Sequence, residues 1–166
     1  MCNIKMIFTL QTKHPPELIL KSFTDKDFRN YTFKKDKSIL LNETISGVDV
    51  QNRTFLIRKE NSIPYLIKKI TGLSDIEFEI NETINTKDYN EETYFEVLNK
   101  NLNIFKINGK RCICKDENGI TLINYNVNVI TVFGSVCKHF IENSYKKSQI
   151  EYLVMMQEYY NEHIIN

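Results

Sequence analysis

The sequence predicts an α+β fold in which a curved antiparallel sheet of about seven strands is closed by one long C-terminal helix. Several segments between Lys5 and Thr131 alternate apolar with polar residues, the period of strands that keep one face wet. Turn residues separate consecutive segments closely enough to make hairpins rather than crossovers. From Ser135 to about His163 there is neither proline nor glycine, enough chain for about seven to eight helical turns.

Taken in order, Lys5–Thr12 reads as a strand ended by Pro15 and Pro16. Proline suits a first helical turn, so a helix is expected from Pro16 toward Phe28 with Ile19 and Phe23 on one face. Ser38–Ser46 and Thr54–Lys59 read as strands joined by turn chemistry between Gly47 and Asn52. Ser62 can cap and Gly72 can end a short amphipathic helix. Ile63, Leu66, Ile67 and Ile70 fall on its one face, with Lys68 and Lys69 at its side. In Asp75–Asn85, Ile76, Phe78 and Ile80 take one face and Glu77, Glu79 and Asn81 the other. Thr93–Leu98, Ile104–Cys114 and Thr121–Thr131 continue the pattern. Asn108-Gly109 suggests a hairpin turn, and Glu117-Asn118-Gly119 a stronger one. In the last helix, Cys137, Ile141, Ser144, Ser148, Tyr152, Met155 and Tyr159 form an apolar stripe expected to face the sheet. His139, Asn143, Lys146 with Lys147, Ile150 and Val154 form a second stripe. About seven strands offer more apolar face than one helix covers, so the remainder can become a cavity for an apolar ligand.

Composition narrows the function. The 166 residues are read as a single domain over 1–166, with 42% hydrophobic residues to build a core without staples. Lys and Arg total 22 against 21 Asp and Glu, with no basic stripe, which disfavours nucleic acid as a main partner. No apolar run reaches the length of a membrane span, and Met1–Leu10 lacks the core and cleavage site of a signal peptide. Synthesis in the cytosol with no cleavable presequence is therefore expected. Cys2, Cys112, Cys114 and Cys137 fit neither a disulfide framework nor a closed zinc site, and no metal or other cofactor is expected. There are no paired acid and base carboxylates and no nucleophile motif, so the chain is not expected to be an enzyme.

The order of these segments resembles a family. Arg58–Gly72 (RKENSIPYLIKKITG) followed by the alternating strand Asp75–Asn85 resembles the basic strand end, Pro-aromatic lid and next strand of PRELI-like proteins, the PRELI/MSF family. FEVLNKNLNIFKINGKRC, from Phe95 to Cys112, is similar to the family's strand pair around an Asn-Leu turn, with the order here Leu98-Asn99. FIENSYKKSQIEYLVMMQEYY, from Phe140, resembles the final helix with a one-residue shift, and PPELILKSFTDKDFRNY resembles the first helix. Tyr65 stands where the family's lid carries Trp, and Tyr31-Thr32-Phe33 where it has a Tyr-Pro-Asn-Pro turn. The resemblance covers nearly the whole chain by collinearity rather than by one diagnostic motif.

What the resemblance implies is a START-like helix-grip fold with a short lid helix. The implied function is transfer of an anionic phospholipid, phosphatidic acid or phosphatidylserine, between mitochondrial membranes in the intermembrane space. Transient contact with anionic membranes and a small helical twin-C-x9-C protein partner are implied with it; the cytosol is the other location open to the chain. For the headgroup, the resemblance points to Arg29, Arg58 and Lys59 and, on the final helix, to His139, Asn143 and Lys147, which recur at i, i+4 and i+8. The lid would be Ile63, Pro64, Tyr65, Leu66, Ile67 and Ile70, covering the cavity entrance or dipping into a bilayer interface. The alternative is a START-like interaction module without a functional lipid cavity. On the lipid reading, Lys59→Glu combined with Lys147→Glu lowers phosphatidic acid transfer between liposomes while the far-UV spectrum stays native; unchanged transfer would remove this headgroup site.

Overall fold

The strand period is realised as one seven-stranded, wholly antiparallel sheet. Its strands are β1 (Cys2–Thr12), β2 (Ser38–Ser46), β3 (Val50–Glu60), β4 (Asp75–Asn85), β5 (Thr93–Asn99), β6 (Phe105–Lys115) and β7 (Thr121–Thr131). They lie in the order β1-β7-β6-β5-β4-β3-β2. Among the described residues the helices are α1 (Pro16–Thr24), α2 (Lys26–Lys35) and α3 (Lys138–Ile164). The structure, a computed structural model, describes residues 2–60, 72, 75–132, 134 and 138–164. No helix among them is long and apolar enough to cross a membrane.

Alternation sorts the side chains onto two faces. On β7, Ile123, Tyr125, Val127 and Val129 are buried and the residues between them are half-exposed. In register with them stand Ile4 and Met6 of β1 and Ile113 of β6. Against this face pack Ile19, Leu20 and Phe23 of α1, Phe28 of α2, and Met156, Tyr159 and Tyr160 of α3. Each such side chain taken out of water contributes roughly 1.5–3 kcal/mol. Phe28 is the meeting point of the helices, with ring centroids 5.3–5.6 Å from Tyr152, Tyr159 and Tyr160.

Three local expectations change. The N-terminal helical segment is two helices, because Asp25 stops one and starts the next. Its carboxylate accepts from the Asp27 and Phe28 N–H groups at 2.9 and 3.0 Å, an N-cap for α2. Its other oxygen accepts from the Tyr160 hydroxyl at 2.9 Å, fastening the break to α3. Burial pushes the Asp25 carboxyl up, but these hydrogen bonds, aided by Lys21, hold it below the usual aspartate value. β3 begins at Val50, so the turn after β2 is shorter than the Gly47–Asn52 stretch, and Gly47 takes a φ of 88° within it. Asn108-Gly109 is no turn and lies in the middle of β6, whereas Gly119 does turn the chain between β6 and β7, with a φ of 77°.

Gly109 has a steric reason. A Cβ there would meet the Asn126 carbonyl oxygen at 2.5 Å, Val127 Cα at 3.0 Å and Phe95 Cζ at 3.1 Å. The neighbouring backbone closes over the empty position, and the Phe95 ring covers it. Gly109→Ala is expected to lower unfolding free energy by about 1–3 kcal/mol. Urea denaturation should register this as a lower midpoint with an unchanged slope.

Candidate functional site

The inner face of the sheet is not apolar throughout. Arg53 on β3, Glu82 on β4 and Arg111 on β6 occupy inward positions, in phase with Phe55 and Ile57, Ile80 and Ile84, and Ile107 and Ile113. The side chain of Arg53 is 1% exposed, that of Arg111 12% and that of Glu82 14%. Glu82 bridges the two cations: its Oε1 accepts from Arg111 Nη2 at 3.2 Å, and its Oε2 lies 3.7 Å from Arg53 Nη1. Arg53 Nη1 also donates to the Phe23 carbonyl at the end of α1. The Arg111 guanidinium stacks on the Phe23 ring, 3.7 Å from its centroid.

A third guanidinium joins from α2. Arg29 is paired with Glu43 of β2 at 2.5 Å. The Leu40/Asn42 irregularity in β2 puts Glu43 opposite Phe55, on the inner side. Arg29 and Arg53 both lie over the Phe55 ring, at 4.7 and 4.8 Å. Burial depresses the Arg53 pKa; Glu82 works against this, while the charges of Arg29 and Arg111 add to it. Arg29 Nε and Nη1, Arg53 Nε and Arg111 Nε are buried with no acceptor among the described residues. Buried donors of this kind are few in native proteins and ask for an explanation.

These groups border a cavity of about 440 Å³ between the sheet, α2 and α3. Three strands lead through it, with β5 and its Val97 between β4 and β6. β3 runs from Arg53 past Phe55 and Ile57 to Lys59, β4 from Glu82 past Ile80 to Phe78, and β6 from Arg111 past Ile107 to Phe105. The charged cluster thus lies at one end and Lys59 at the other, about 20 Å apart along a strand at roughly 3.4 Å per residue. Between them Phe55, Ile57, Phe78, Ile80, Phe105 and Ile107 line the sheet wall, with Phe78 and Phe105 in ring contact at 5.8 Å; Thr32, Ser38, Ser148 and Gln149 add polar groups. Tyr145, Tyr152 and Met155 of α3 form the opposite wall. Burial raises the Tyr145 and Tyr152 phenols far above the tyrosine range, so both stay protonated donors. Tyr152 shares its hydroxyl with Ser22 at 3.0 Å. A larger concavity of about 690 Å³ on the outer sheet face is open and amide-lined, with Asn81, Asn108, Asn126 and Asn128 in its walls. It encloses nothing, and the inner cavity is the better candidate.

Of the residues singled out for a headgroup, the structure brings Arg29 and Lys59 to this cavity and not the other four. Lys59 sits 3.7 Å from Asp36 at the mouth. Arg58, one residue on, points to the outer face, where Glu77 accepts from it at 2.8 Å. His139, Asn143 and Lys147 are exposed on α3; His139 and Asn143 bond each other at 3.0 Å, and Lys147 faces Glu151 at 3.7 Å. The i, i+4, i+8 spacing does set them on one face, but it is the face turned from the sheet. Ile63, Pro64, Tyr65, Leu66, Ile67 and Ile70 lie outside the described residues, as do Ser135 and Cys137. Arg53, Glu82 and Arg111 were not anticipated. Their signal is a charged residue in phase with an apolar alternation.

No protein-family model matches the chain, and no curated protein matches its sequence. Its fold does match solved structures. Ara h 8.0201 aligns over 94% of this chain and 97% of its own at a TM-score of 0.59 with 13% identity. The ZhuI aromatase/cyclase of a Streptomyces species aligns over 94% and 93% at 0.59 with 8% identity. Ginseng major latex-like protein 151 aligns over 98% of both chains at 0.52 with 10% identity. At these identities the likeness is one of fold, and the fold is a START-like helix grip.

Removing the shared carboxylate tests the cluster. Glu82→Gln leaves two buried guanidiniums without their common partner and is expected to cost about 3–5 kcal/mol. Chemical denaturation should show it, and Glu82→Gln with Arg111→Met should recover part of the loss.

Proposed function

We propose that the protein is a non-enzymatic carrier that encloses an anionic lipid between sheet and helix and moves it between membranes. One observation carries the reading: three buried guanidiniums, with donors left unpaired, stand at one end of a cavity lined mainly by aromatic and aliphatic side chains. A phosphate or carboxylate accepts such donors through charge-assisted, often bidentate hydrogen bonds. An acyl chain beside Phe78, Phe105 and Ile107 regains roughly 0.8 kcal/mol for each methylene buried. The volume falls in the lower part of the range of about 300–1,000 Å³ common for enclosed ligands.

The resemblance to PRELI-like proteins supports the finer form of the proposal. In that form the cargo is phosphatidic acid or phosphatidylserine, the place is the mitochondrial intermembrane space, and a small helical twin-C-x9-C protein is the partner. The carrier reading needs no general base. The cavity phenols are held protonated, and Glu82 is engaged by two guanidiniums. A lined cavity of this size favours a carrier over an interaction module, for which purified protein would be lipid-free.

Native mass spectrometry of the purified protein should find co-purified lipid. In a liposome assay, Arg111→Gln is expected to slow transfer of an anionic lipid about tenfold, the value of one lost charge-assisted hydrogen bond. Lys147→Glu should leave the rate unchanged, so any loss in the Lys59→Glu, Lys147→Glu pair belongs to Lys59. Empty protein and wild-type rates in Arg111→Gln would overturn the carrier.

A further inference from the structure

The charges around the cavity do not cancel, and the remainder has an address. Lys59 and Asp36 form one pair at the mouth, and Arg29 and Glu43 a second pair. Arg53 and Arg111 share the single carboxylate of Glu82. One positive charge is therefore left over, and it lies at the deep end, where the Arg53 side chain is 1% exposed; that of Lys59 is 37% exposed. Water screens an imbalance at the mouth but not one at the deep end. Glu82 takes up an Nη2 hydrogen of Arg111, while the Nε hydrogens of Arg53 and Arg111 find no acceptor among the described residues.

We infer, resting on the carrier reading, that the ligand enters head-first and that its head carries a single negative charge. A carboxylate or a phosphodiester on an apolar body has this chemistry. Two oxygens accept from the free donors of Arg53 and Arg111, and one charge completes the balance. A phosphomonoester, phosphatidic acid included, has a charge of about −1.5 to −2 near neutral pH and brings more charge than the deep end lacks; of the two phospholipids named above, the inference keeps only phosphatidylserine, whose net charge is a single negative one. A neutral head leaves the excess cation buried. The apolar body then lies along Ile107 and Phe105 toward the mouth, the reverse of a headgroup held at Lys59.

The test is displacement of anilinonaphthalene sulfonate from the wild-type protein by chain-matched oleate, oleyl phosphate and oleyl alcohol, with dioleoylphosphatidylglycerol as a fourth arm. Oleate is expected to bind about tenfold tighter than the phosphate or the alcohol. Arg111→Gln, checked for folding by circular dichroism, is expected to remove that preference, and Lys59→Gln to keep it. Phosphatidylglycerol matching oleate identifies a lipid head as a source of the charge; oleate alone identifies a free acid. Equal binding of oleate and oleyl alcohol, or tighter binding of oleyl phosphate, overturns the single-charge inference and leaves the carrier standing. Failure of all four compounds to displace the probe overturns both.

Discussion

One helix cannot cover seven strands. The sheet is about 29 Å across at six inter-strand spacings, and a helix with its side chains is about 10–12 Å wide. Curling the sheet narrows the mismatch. α1 and α2 fill one end, where Phe23 and Phe28 reach under α3. What is left between the inner face and the helix is a cavity rather than core. The space is a consequence of element count and geometry before any side chain is chosen to line it.

That space is where the chain places its most costly residues. Two guanidiniums and two carboxylates on an inner sheet face, with a third guanidinium from α2, would be poor choices for a filled core, because desolvation of ions often exceeds what pairing returns. Here the cost is limited by stacking on Phe23 and Phe55, by the Phe23 carbonyl and by Glu82. Glu82 also does mechanical work. From β4 it ties β3 to β6 across the intervening β5. A ligand anion at Arg53 and Arg111 would tighten the same tie.

The sheet was legible because strand periodicity needs only local information. β7 runs over Thr121–Thr131 as the alternation indicates, and Ile76 and Ile84 of β4 are buried. The break at Asp25 was less legible: an aspartate inside a helical stretch announces an N-cap only when its φ and ψ leave the helix. Asn108-Gly109 has the chemistry of a hairpin turn, yet the glycine serves close backbone packing, which no local pattern states. The site was least legible. Spacing put His139, Asn143 and Lys147 on one face of α3, and the stripe expected to face the sheet does so at Tyr152, Met155 and Tyr159; it was the resemblance that drew the other face into the site. Tyr145, which neither stripe included, also lines the cavity. Parity would have found the cluster, since Glu82 shares its phase with Ile80 and Ile84, and Arg111 with Ile107 and Ile113.

The first strand pairs with the last. Cys2 stands opposite Thr131 and Thr12 opposite Thr121, so β1 has no sheet neighbour until β7 has been made. At about 5–20 residues per second, a growing chain carries β1 alone for roughly ten seconds. During that interval Ile4, Met6, Phe8 and Leu10 form an open strand template, the kind of edge on which other chains nucleate. Pairings so distant in sequence also place refolding among slow topologies, on the order of milliseconds to seconds. The β1–β7 pairing is thus a late step in biosynthesis, and β1 is the segment that nascent-chain chaperones have reason to hold.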